Sequence, residues 1–182
     1  MMRIHITGNA GSGKTSLANE LGEILGMNVY GLDKIVWGEG WTVTPSNERR
    51  SLENELVMKS EWIIEGVSSV VRQAADIVVF LDFPRYVCFQ RCGLRALRFL
   101  FSTRPELPAN CPEIKIIPKL TKIVWQFPSI AKQIIVSDLS KKESIIITTE
   151  DELRQLVEDI KLNRSVLSDV SRRGLRPSTV RN

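Results

Sequence analysis

Histidine and cysteine, two side chains that often bind metals or serve in catalysis, are scarce in this sequence. His5 is the one histidine among 182 residues, and its position inside an apolar segment favours a packed role over acid–base work. The cysteines are Cys88, Cys92 and Cys111, an odd number without a C-x-x-C pair. We therefore expect neither a zinc site nor a disulfide framework. Cys88 and Cys92, one helical turn apart, are expected to pack in the interior.

Long apolar runs are also missing. No run of apolar residues is long enough to span a bilayer, and no signal-peptide pattern precedes the first predicted strand. Together with the cysteine usage, this predicts a cytoplasmic protein with no membrane partner. A chain of this length is expected to form one domain with a sizeable core.

The positive net charge is concentrated at one end of the chain. The whole sequence has a formal charge of +4, but residues 161–182 contain six basic residues and one acidic residue, which leaves residues 1–160 close to neutral. This contrast predicts a folded domain over residues 1–160 and a basic tail over residues 161–182. A solvated end is the interpretation that we favour for the tail, and contact with nucleic acid is the alternative.

The stretch GNAGSGKT, directly after the apolar segment RIHIT, fits the pattern G-x-x-x-x-G-K-[ST] of a phosphate-binding P-loop. Its glycines allow backbone angles and close approaches that a Cβ would block, so successive N–H groups can point at an anion. We expect the Lys14 ammonium to reach the β- and γ-phosphates and the Thr15 hydroxyl to bind Mg²⁺. The predicted nucleotide-binding residues are Gly8, Asn9, Ala10, Gly11, Ser12, Gly13, Lys14, Thr15 and Ser16.

Apolar segments of strand length alternate with segments of helical period along the chain. The predicted strands cover residues 3–7, 28–33, 61–66, 76–82 and 144–148. Helices are predicted after Lys14, Pro45 and Pro84, and a T-x-x-E capping box at residues 149–152 predicts the last helix. Strands that alternate with helices indicate a parallel, doubly wound sheet. We therefore predict a three-layer α/β/α fold with a five-stranded parallel sheet.

Three acidic residues lie at the ends of predicted strands, at the sheet edge where ligands bind in such folds. Asp33 is the first choice for a functional acid, because it could accept a proton from a substrate hydroxyl or orient that hydroxyl for attack. A helix cap is its structural alternative. Glu65 is the acid expected to support Mg²⁺ beside Thr15. Asp82 is followed by Phe83-Pro84, so capping the next helix is its more economical role.

Five arginines and no acidic residue lie between positions 85 and 104. Arg91, Arg95 and Arg98 are spaced at i, i+4 and i+7, so one helical face would carry all three. Unpaired like charges repel on one face, and a polyphosphate would relieve that repulsion, since guanidinium groups bind phosphoryl oxygens. The spacing favours a role in phosphoryl transfer, with a solvated face or an RNA-binding patch as the alternative.

Tryptophan occurs at four positions. Trp37 and Trp41 enclose a glycine-rich turn after Asp33, where they could stack on a ring of the ligand or cover the core. Both roles stay open. Trp125, in the segment KIVWQF, is expected in the core of the helices that support a lid.

Several blocks of the sequence resemble a known group of proteins. Residues 8–15 and the block LDFPRYVCFQRCGLR at 81–95 resemble the nucleoside monophosphate kinase branch of P-loop proteins, of which adenylate kinase is the familiar member. A closer resemblance, over roughly residues 2–160, is to the small bacterial DNA topology modulation proteins. Those proteins share RIHITG (3–8 here), LD-x-x-x-W-x-x-G-W (32–41), W-[IV]-I-[DE]-G (62–66), and TRP followed by CPE (103–105 and 111–113).

The resemblance implies an adenylate-kinase-like fold, ATP as the bound nucleotide, and a lid with its supporting helices over about residues 99–135. It also implies that Arg91 and Arg95 match the family's lid-hinge arginines, near the adenine and the phosphates. The chain departs from the monophosphate kinases after Glu65, where it reads EGVSS and lacks the arginine that grips the acceptor phosphate. Arg72 follows a little further on, and the identity of the acceptor stays open.

These features together predict a kinase that transfers the γ-phosphoryl group of Mg-ATP to a small-molecule or nucleotide acceptor. The predicted catalytic residues are Lys14, Asp33, Arg91 and Arg95, and the predicted metal site consists of Thr15 and Glu65. One alternative is a nucleotide-dependent regulator of DNA topology that binds nucleic acid through the basic segments. The other is a slow ATPase whose acceptor is water.

Overall fold

A parallel sheet with helices on both faces forms the centre of the protein in this computed structural model. The structure describes residues 1–104, 107–139, 142–163 and 167. Its strands are β1 (Arg3–Gly8), β2 (Val29–Gly31), β3 (Trp37–Gly38), β4 (Thr42–Val43), β5 (Trp62–Glu65), β6 (Ile77–Leu81) and β7 (Ser144–Ile147). The α-helices of the described residues are α1 (Lys14–Leu25), α2 (Asp33–Val36), α3 (Ser46–Val57), α4 (Ser69–Ala74), α5 (Arg85–Arg98), α6 (Ile117–Leu139) and α7 (Glu150–Leu162).

The main sheet has five strands in the order β2–β5–β1–β6–β7, and every neighbouring pair is parallel. The antiparallel pair β3–β4 forms a separate hairpin. Because β1 lies between β5 and β6, the loop after β1 emerges at the centre of the carboxyl edge, where ligands bind in such sheets. The predicted fold class is confirmed.

The core lies on both faces of the sheet, because strand residues alternate between them. In β6, Ile77, Val79 and Leu81 pack in the cluster that contains α1, α5 and α7, whereas Val78 and Phe80 pack in the opposite cluster with α4 and α6. All five side chains are at most 2% exposed. Burial on both faces explains why this strand is an unbroken apolar run.

The sequence signals for helix ends act as predicted. Gly26 ends α1 in the left-handed conformation, with a φ of 70°. The Thr149 side chain accepts a hydrogen bond from the Glu152 N–H, and the Glu152 side chain completes the capping box at the start of α7. Pro45 and Pro84 stand directly before α3 and α5.

The segment after β2 differs from its prediction. The strand ends at Gly31, and Asp33 is the first residue of α2 instead of the last residue of a strand. The Leu32 N–H donates to the Glu65 carbonyl at 2.9 Å, and the Ile35 N–H then bonds back to the Leu32 carbonyl. These bonds turn the chain into a helical turn at the sheet edge. The hairpin and α4 were not predicted, because elements this short contain too few positions for a periodic pattern.

Helix α6 has 23 residues and includes Pro128. Its buried face contains Val124 and Phe127. Trp125 is instead 61% exposed, and the Arg85 guanidinium lies 4.9 Å from its ring centre. The predicted core role of Trp125 is therefore wrong, because the neighbouring positions of the helix face the interior.

The basic tail lies mostly outside the described residues. Helix α7 continues to Leu162, and Lys161 Nζ donates to Glu20 Oε1 at 3.0 Å. Residues 164–182, apart from the buried Leu167, lie outside the described residues, as does Pro105 of the TRP block. The boundary at residue 160 and the roles considered for the tail stay predictions. Within the described ranges, no helix combines the length and the hydropathy needed to cross a membrane.

Candidate functional site

A cavity of about 550 Å³ opens at the carboxyl edge of the sheet, between the P-loop, the β3–β4 hairpin and helices α3, α5 and α6. The predicted site residues in its wall are Gly8, Ala10, Gly11, Gly13, Lys14, Thr15, Ser16, Asp33, Glu65, Arg91 and Arg95. The other two, Asn9 and Ser12, are buried loop residues that do not line the cavity. One cavity therefore brings together the loop, the edge acids and the arginines of α5.

The P-loop adopts a backbone that requires glycine. Gly11 and Gly13 have φ angles of 78° and 95°, in the left-handed region. A Cβ on Gly11 would collide with the Cys88 carbonyl oxygen and stand 2.8 Å from Cys92 Sγ. Helix α5 thus packs directly against the loop, and its two buried cysteines have the packing role that was predicted.

Buried polar contacts hold the loop in shape. Asn9 Nδ2 donates to the Val124 carbonyl at 3.0 Å, and Asn9 Oδ1 accepts from the Ala10 N–H at 2.8 Å. The Asn9 carbonyl accepts from the Ser12 N–H at 3.2 Å. Asn9 therefore links the loop to α6 by a hydrogen bond. It supports the loop and does not line the cavity.

Helix α1 and Lys14 supply the positive charge at the loop. No acidic residue stands in the first turn of α1, and the N–H groups of a first turn have no partner inside their helix. They form the positive end of the helix dipole, which favours anions. Lys14 Nζ donates to the Asn9 carbonyl at 2.8 Å, so the ammonium stays over the loop. This arrangement has the donors and the positive charge that phosphate groups require.

Thr15 and Glu65 meet beside the loop. Thr15 Oγ1 donates to Glu65 Oε1 at 3.1 Å, and Glu65 is buried. Burial raises the pKa of the Glu65 carboxyl, while the Lys14 ammonium opposes the rise. Hydroxyl and carboxylate oxygens are ligands that Mg²⁺ accepts, with waters and substrate phosphates completing its shell. The donor set and the glycine cradle next to it fit a magnesium–nucleotide complex.

Asp33, Arg49 and two tryptophans form another part of the cavity wall. Asp33 is close enough to Glu65 that its charge contributes to the raised pKa of that carboxyl. Arg49 comes from α3 and forms none of the ion pairs found among the described residues. The rings of Trp37 and Trp41 pack edge to face, 5.4 Å apart. They line the cavity and also cover a small apolar cluster.

The arginines of α5 have acidic partners from later parts of the chain. Arg91 forms an ion pair with Glu150 at the start of α7 and donates to the Ser12 carbonyl at 3.2 Å. Arg95 Nε lies 3.6 Å from Glu113 Oε1. The prediction that these charges are unpaired is therefore wrong, because tertiary contacts bring in acids that the local sequence lacks. Both arginines line the cavity.

Two further residues considered from the sequence have structural roles. Arg72 is 3% exposed and pairs with Asp138 at 2.7 Å, so it does not replace the missing acceptor-binding arginine. Asp82 accepts from Lys132 Nζ at 2.7 Å, and the cap position of α5 is Pro84, without a side-chain bond. The helix-capping role predicted for Asp82 is therefore wrong, and the residue serves as an ion-pair partner.

Two arginines of the cavity wall, Arg49 and Arg104, were not predicted. Arg104 Nε lies 2.6 Å from Glu113 Oε1, so one carboxylate lies against both Arg95 and Arg104. Arg104 belongs to the TRP block, which is a signal that could have identified it. Arg49 stands beside Arg50 in a polar helix, and nothing in the sequence indicates which of these two arginines lines the cavity.

Solved structures share this fold over nearly the whole chain. A shikimate kinase from Acinetobacter baumannii in complex with shikimate is 22% identical, with a TM-score of 0.53 over 93% of this chain and 94% of its own. A shikimate kinase from Bacteroides thetaiotaomicron is 18% identical, with a TM-score of 0.52 over 92% of this chain and 98% of its own. This chain therefore shares the fold of these two shikimate kinases.

No protein-family model matches the chain, and a search of curated proteins found no match. The two solved structures named above are kinases, and the narrower resemblance to the DNA topology modulation proteins stays a prediction.

Proposed function

We propose that this chain is a P-loop kinase that transfers the γ-phosphoryl group of Mg-ATP to a hydroxyl group of a small, negatively charged acceptor. The composition of one cavity wall supports this most. It combines the P-loop and the Thr15–Glu65 pair with the Asp33 carboxylate and the Arg49 guanidinium. A protein that only binds a nucleotide does not require Asp33 and Arg49 in that wall, whereas a protein that transfers a phosphoryl group to an acceptor requires both.

The loop side of the cavity takes the donor. The amides at the start of α1 and the Lys14 ammonium donate to phosphate oxygens. Thr15 and Glu65 hold Mg²⁺, which when bound offsets the negative charge of the phosphates. Arg91 and Arg95 stabilise charge that develops on the transferred group, as guanidinium groups do in phosphoryl transfer.

The side with Asp33 takes the acceptor. The Asp33 carboxylate accepts a hydrogen bond from the acceptor hydroxyl and orients its oxygen for in-line attack. As the new O–P bond forms and the bond to ADP breaks, Asp33 takes the hydroxyl proton. Arg49 binds an acidic group of the acceptor through a charge-assisted hydrogen bond. Trp37 and Trp41 offer flat apolar surfaces to its carbon skeleton.

This class of acceptor agrees with the ligand of one structural match. The Acinetobacter baumannii enzyme is in complex with shikimate, a compound that carries hydroxyl groups and a carboxylate. At 22% identity the likeness extends to the fold alone. We therefore propose the class, a small hydroxylated acid or phosphorylated alcohol, and not the individual compound.

The lid expected over residues 99–135 is part of the same proposal. Phe99, Arg104 and Ile116 contribute to the cavity wall together with the loop and Asp33. A segment in this place can exclude water from the transfer step. Water as the acceptor, the slow-ATPase alternative, would then be disfavoured.

A screen for ADP production tests the proposal. The panel contains hydroxylated carboxylic acids, phosphorylated alcohols and nucleoside monophosphates, each with Mg-ATP. With the acceptor that gives most ADP, Asp33→Asn should lower transfer by about a hundredfold or more while ATP affinity stays within about twofold. Asp151→Asn is the matched control, since that side chain is 91% exposed.

Two outcomes would contradict the proposed function. One is that no compound raises ADP production above the rate in water alone. The other is that Asp33→Asn loses ATP binding and transfer to the same extent.

A further inference from the structure

A buried carboxylate outside the P-loop lies against two arginines of the cavity wall. Glu113 is fully buried, and its Oε1 lies 2.6 Å from Arg104 Nε and 3.6 Å from Arg95 Nε. A carboxylate away from water persists with such partners, because an unpaired buried charge is costly. Since both arginines line the cavity, the Glu113 carboxylate holds two guanidinium groups in the same wall.

The geometry of this cluster leaves the arginines able to bind a second anion. Neither Nε–H is aligned for a hydrogen bond with Glu113, although both distances are those of ion pairs. The attraction therefore comes from charge, without the paired hydrogen bonds of a guanidinium fork on a carboxylate. Two guanidinium groups against one carboxylate also leave one positive charge uncompensated within the cluster.

Trp41 ties this cluster to the β3–β4 hairpin. Its indole N–H donates to the Pro112 carbonyl at 2.8 Å, and its backbone N–H donates to Cys111 Sγ at 3.4 Å. Pro112 directly precedes Glu113. Trp41 has a φ of 65°, a left-handed conformation that is uncommon for a tryptophan and persists only where the surroundings hold it. The bonds to Cys111 and Pro112 are such surroundings.

We propose that Glu113 is a positioning residue for the transfer step, and that the Trp41 indole keeps it in place through the Pro112 carbonyl. This inference rests on the proposed function, because it assigns Arg95 and Arg104 to the phosphoryl group in transfer. Glu113 acts only through these arginines. The hairpin that forms the acceptor wall thereby also fixes the cations that stabilise the transferred group.

Titrations of two Mg²⁺ complexes, ADP alone and ADP with aluminium fluoride, separate positioning from nucleotide binding. Aluminium fluoride mimics the phosphoryl group in transfer, so Arg95 and Arg104 should strengthen its complex and contribute little to ADP alone. Trp41→Phe keeps an aromatic ring and removes the indole N–H. Trp125→Phe makes the same change at an exposed position of α6 and is the matched control.

We expect Trp41→Phe to weaken the aluminium fluoride complex about tenfold, which is the effect of one hydrogen bond, and ADP binding by less than about twofold. Trp125→Phe should change neither affinity. Glu113→Gln removes the charge at nearly constant shape and should weaken the aluminium fluoride complex by about a hundredfold. Because Trp41→Phe leaves the buried carboxylate intact, it tests the inference even where Glu113→Gln does not fold.

Equal weakening of both complexes by Trp41→Phe, or no difference between Trp41→Phe and Trp125→Phe, would overturn the inference. If the unchanged protein bound neither complex, the proposed function itself would be refuted, and this inference with it.

Discussion

Acidification should destabilise this protein through His5. The ring is fully buried, and His5 Nε2 lies 3.1 Å from the Gly66 carbonyl oxygen. Because a carbonyl only accepts, Nε2 carries the proton, and among the described residues Nδ1 has no hydrogen-bond partner. A second proton would have to go to Nδ1. Burial therefore lowers the pKa of His5 from 6.5 to about 3, and the charges of Arg72 and Lys14 add to this effect.

The sign of the effect follows from which state binds the proton. Between pH 6.5 and about 3, the unfolded chain is protonated at His5 and the folded chain is not, so the free energy of unfolding falls as the pH falls. Each pH unit below 6.5 costs about 1.4 kcal/mol, which amounts to roughly 2 kcal/mol at pH 5. Glu65 acts in the opposite direction, because burial raises its pKa and the folded state takes up that proton first.

Urea unfolding at pH 7.5 and pH 5, followed by tryptophan fluorescence, measures this effect. The fully buried Trp62 reports on the folded core. His5→Gln keeps an N–H donor for the Gly66 carbonyl and does not titrate. Between the two pH values, the unchanged protein should lose about 2 kcal/mol more than His5→Gln, and the contribution of Glu65 cancels because both proteins contain it. Equal losses in the two proteins would refute the reasoning.

Two further predictions concern the P-loop and its arginine. Gly11→Ala should lower the free energy of unfolding by about 2 to 5 kcal/mol, because strain at positive φ adds to a collision with the Cys88 carbonyl. Gly26→Ala is the control, because Gly26 shares the positive φ but has open space where a Cβ would be, so this variant should lose only about 1 kcal/mol of unfolding free energy. Equal losses by the two variants in urea unfolding would contradict the prediction. Glu150→Gln frees Arg91 from a half-exposed ion pair and should change stability by less than about 1 kcal/mol. It should also tighten Mg-ATP binding by up to about tenfold, and weaker binding in a titration would be the contrary result.

Features encoded by a few neighbouring residues could be predicted from the sequence. The P-loop needs closely spaced glycines before Lys14, and the apolar run of β6 follows from burial on both faces of a parallel sheet. The capping box at Thr149 likewise depends on two residues in one turn. These local patterns were sufficient to predict the fold class and the position of the P-loop at the carboxyl edge of the sheet.

Features that depend on tertiary contacts could not be predicted in this way. Glu113 and Glu150 reach the arginines of α5 only through folding, so a local count of acids wrongly left those arginines unpaired. Arg49 lines the cavity because α3 packs beside α2 and α4, and its sequence neighbourhood is an ordinary polar helix. Trp125 has an apolar neighbourhood but lies on the exposed side of α6.

Calorimetric titration with a non-hydrolysable ATP analogue and Mg²⁺ tests the central claim most directly. The account predicts one binding site per chain. Lys14→Ala should lower the affinity at least about tenfold, because a charged donor is lost. Lys122→Ala, at an exposed position of α6, should leave the affinity unchanged. No binding by the unchanged protein, or equal affinity in Lys14→Ala, would contradict it.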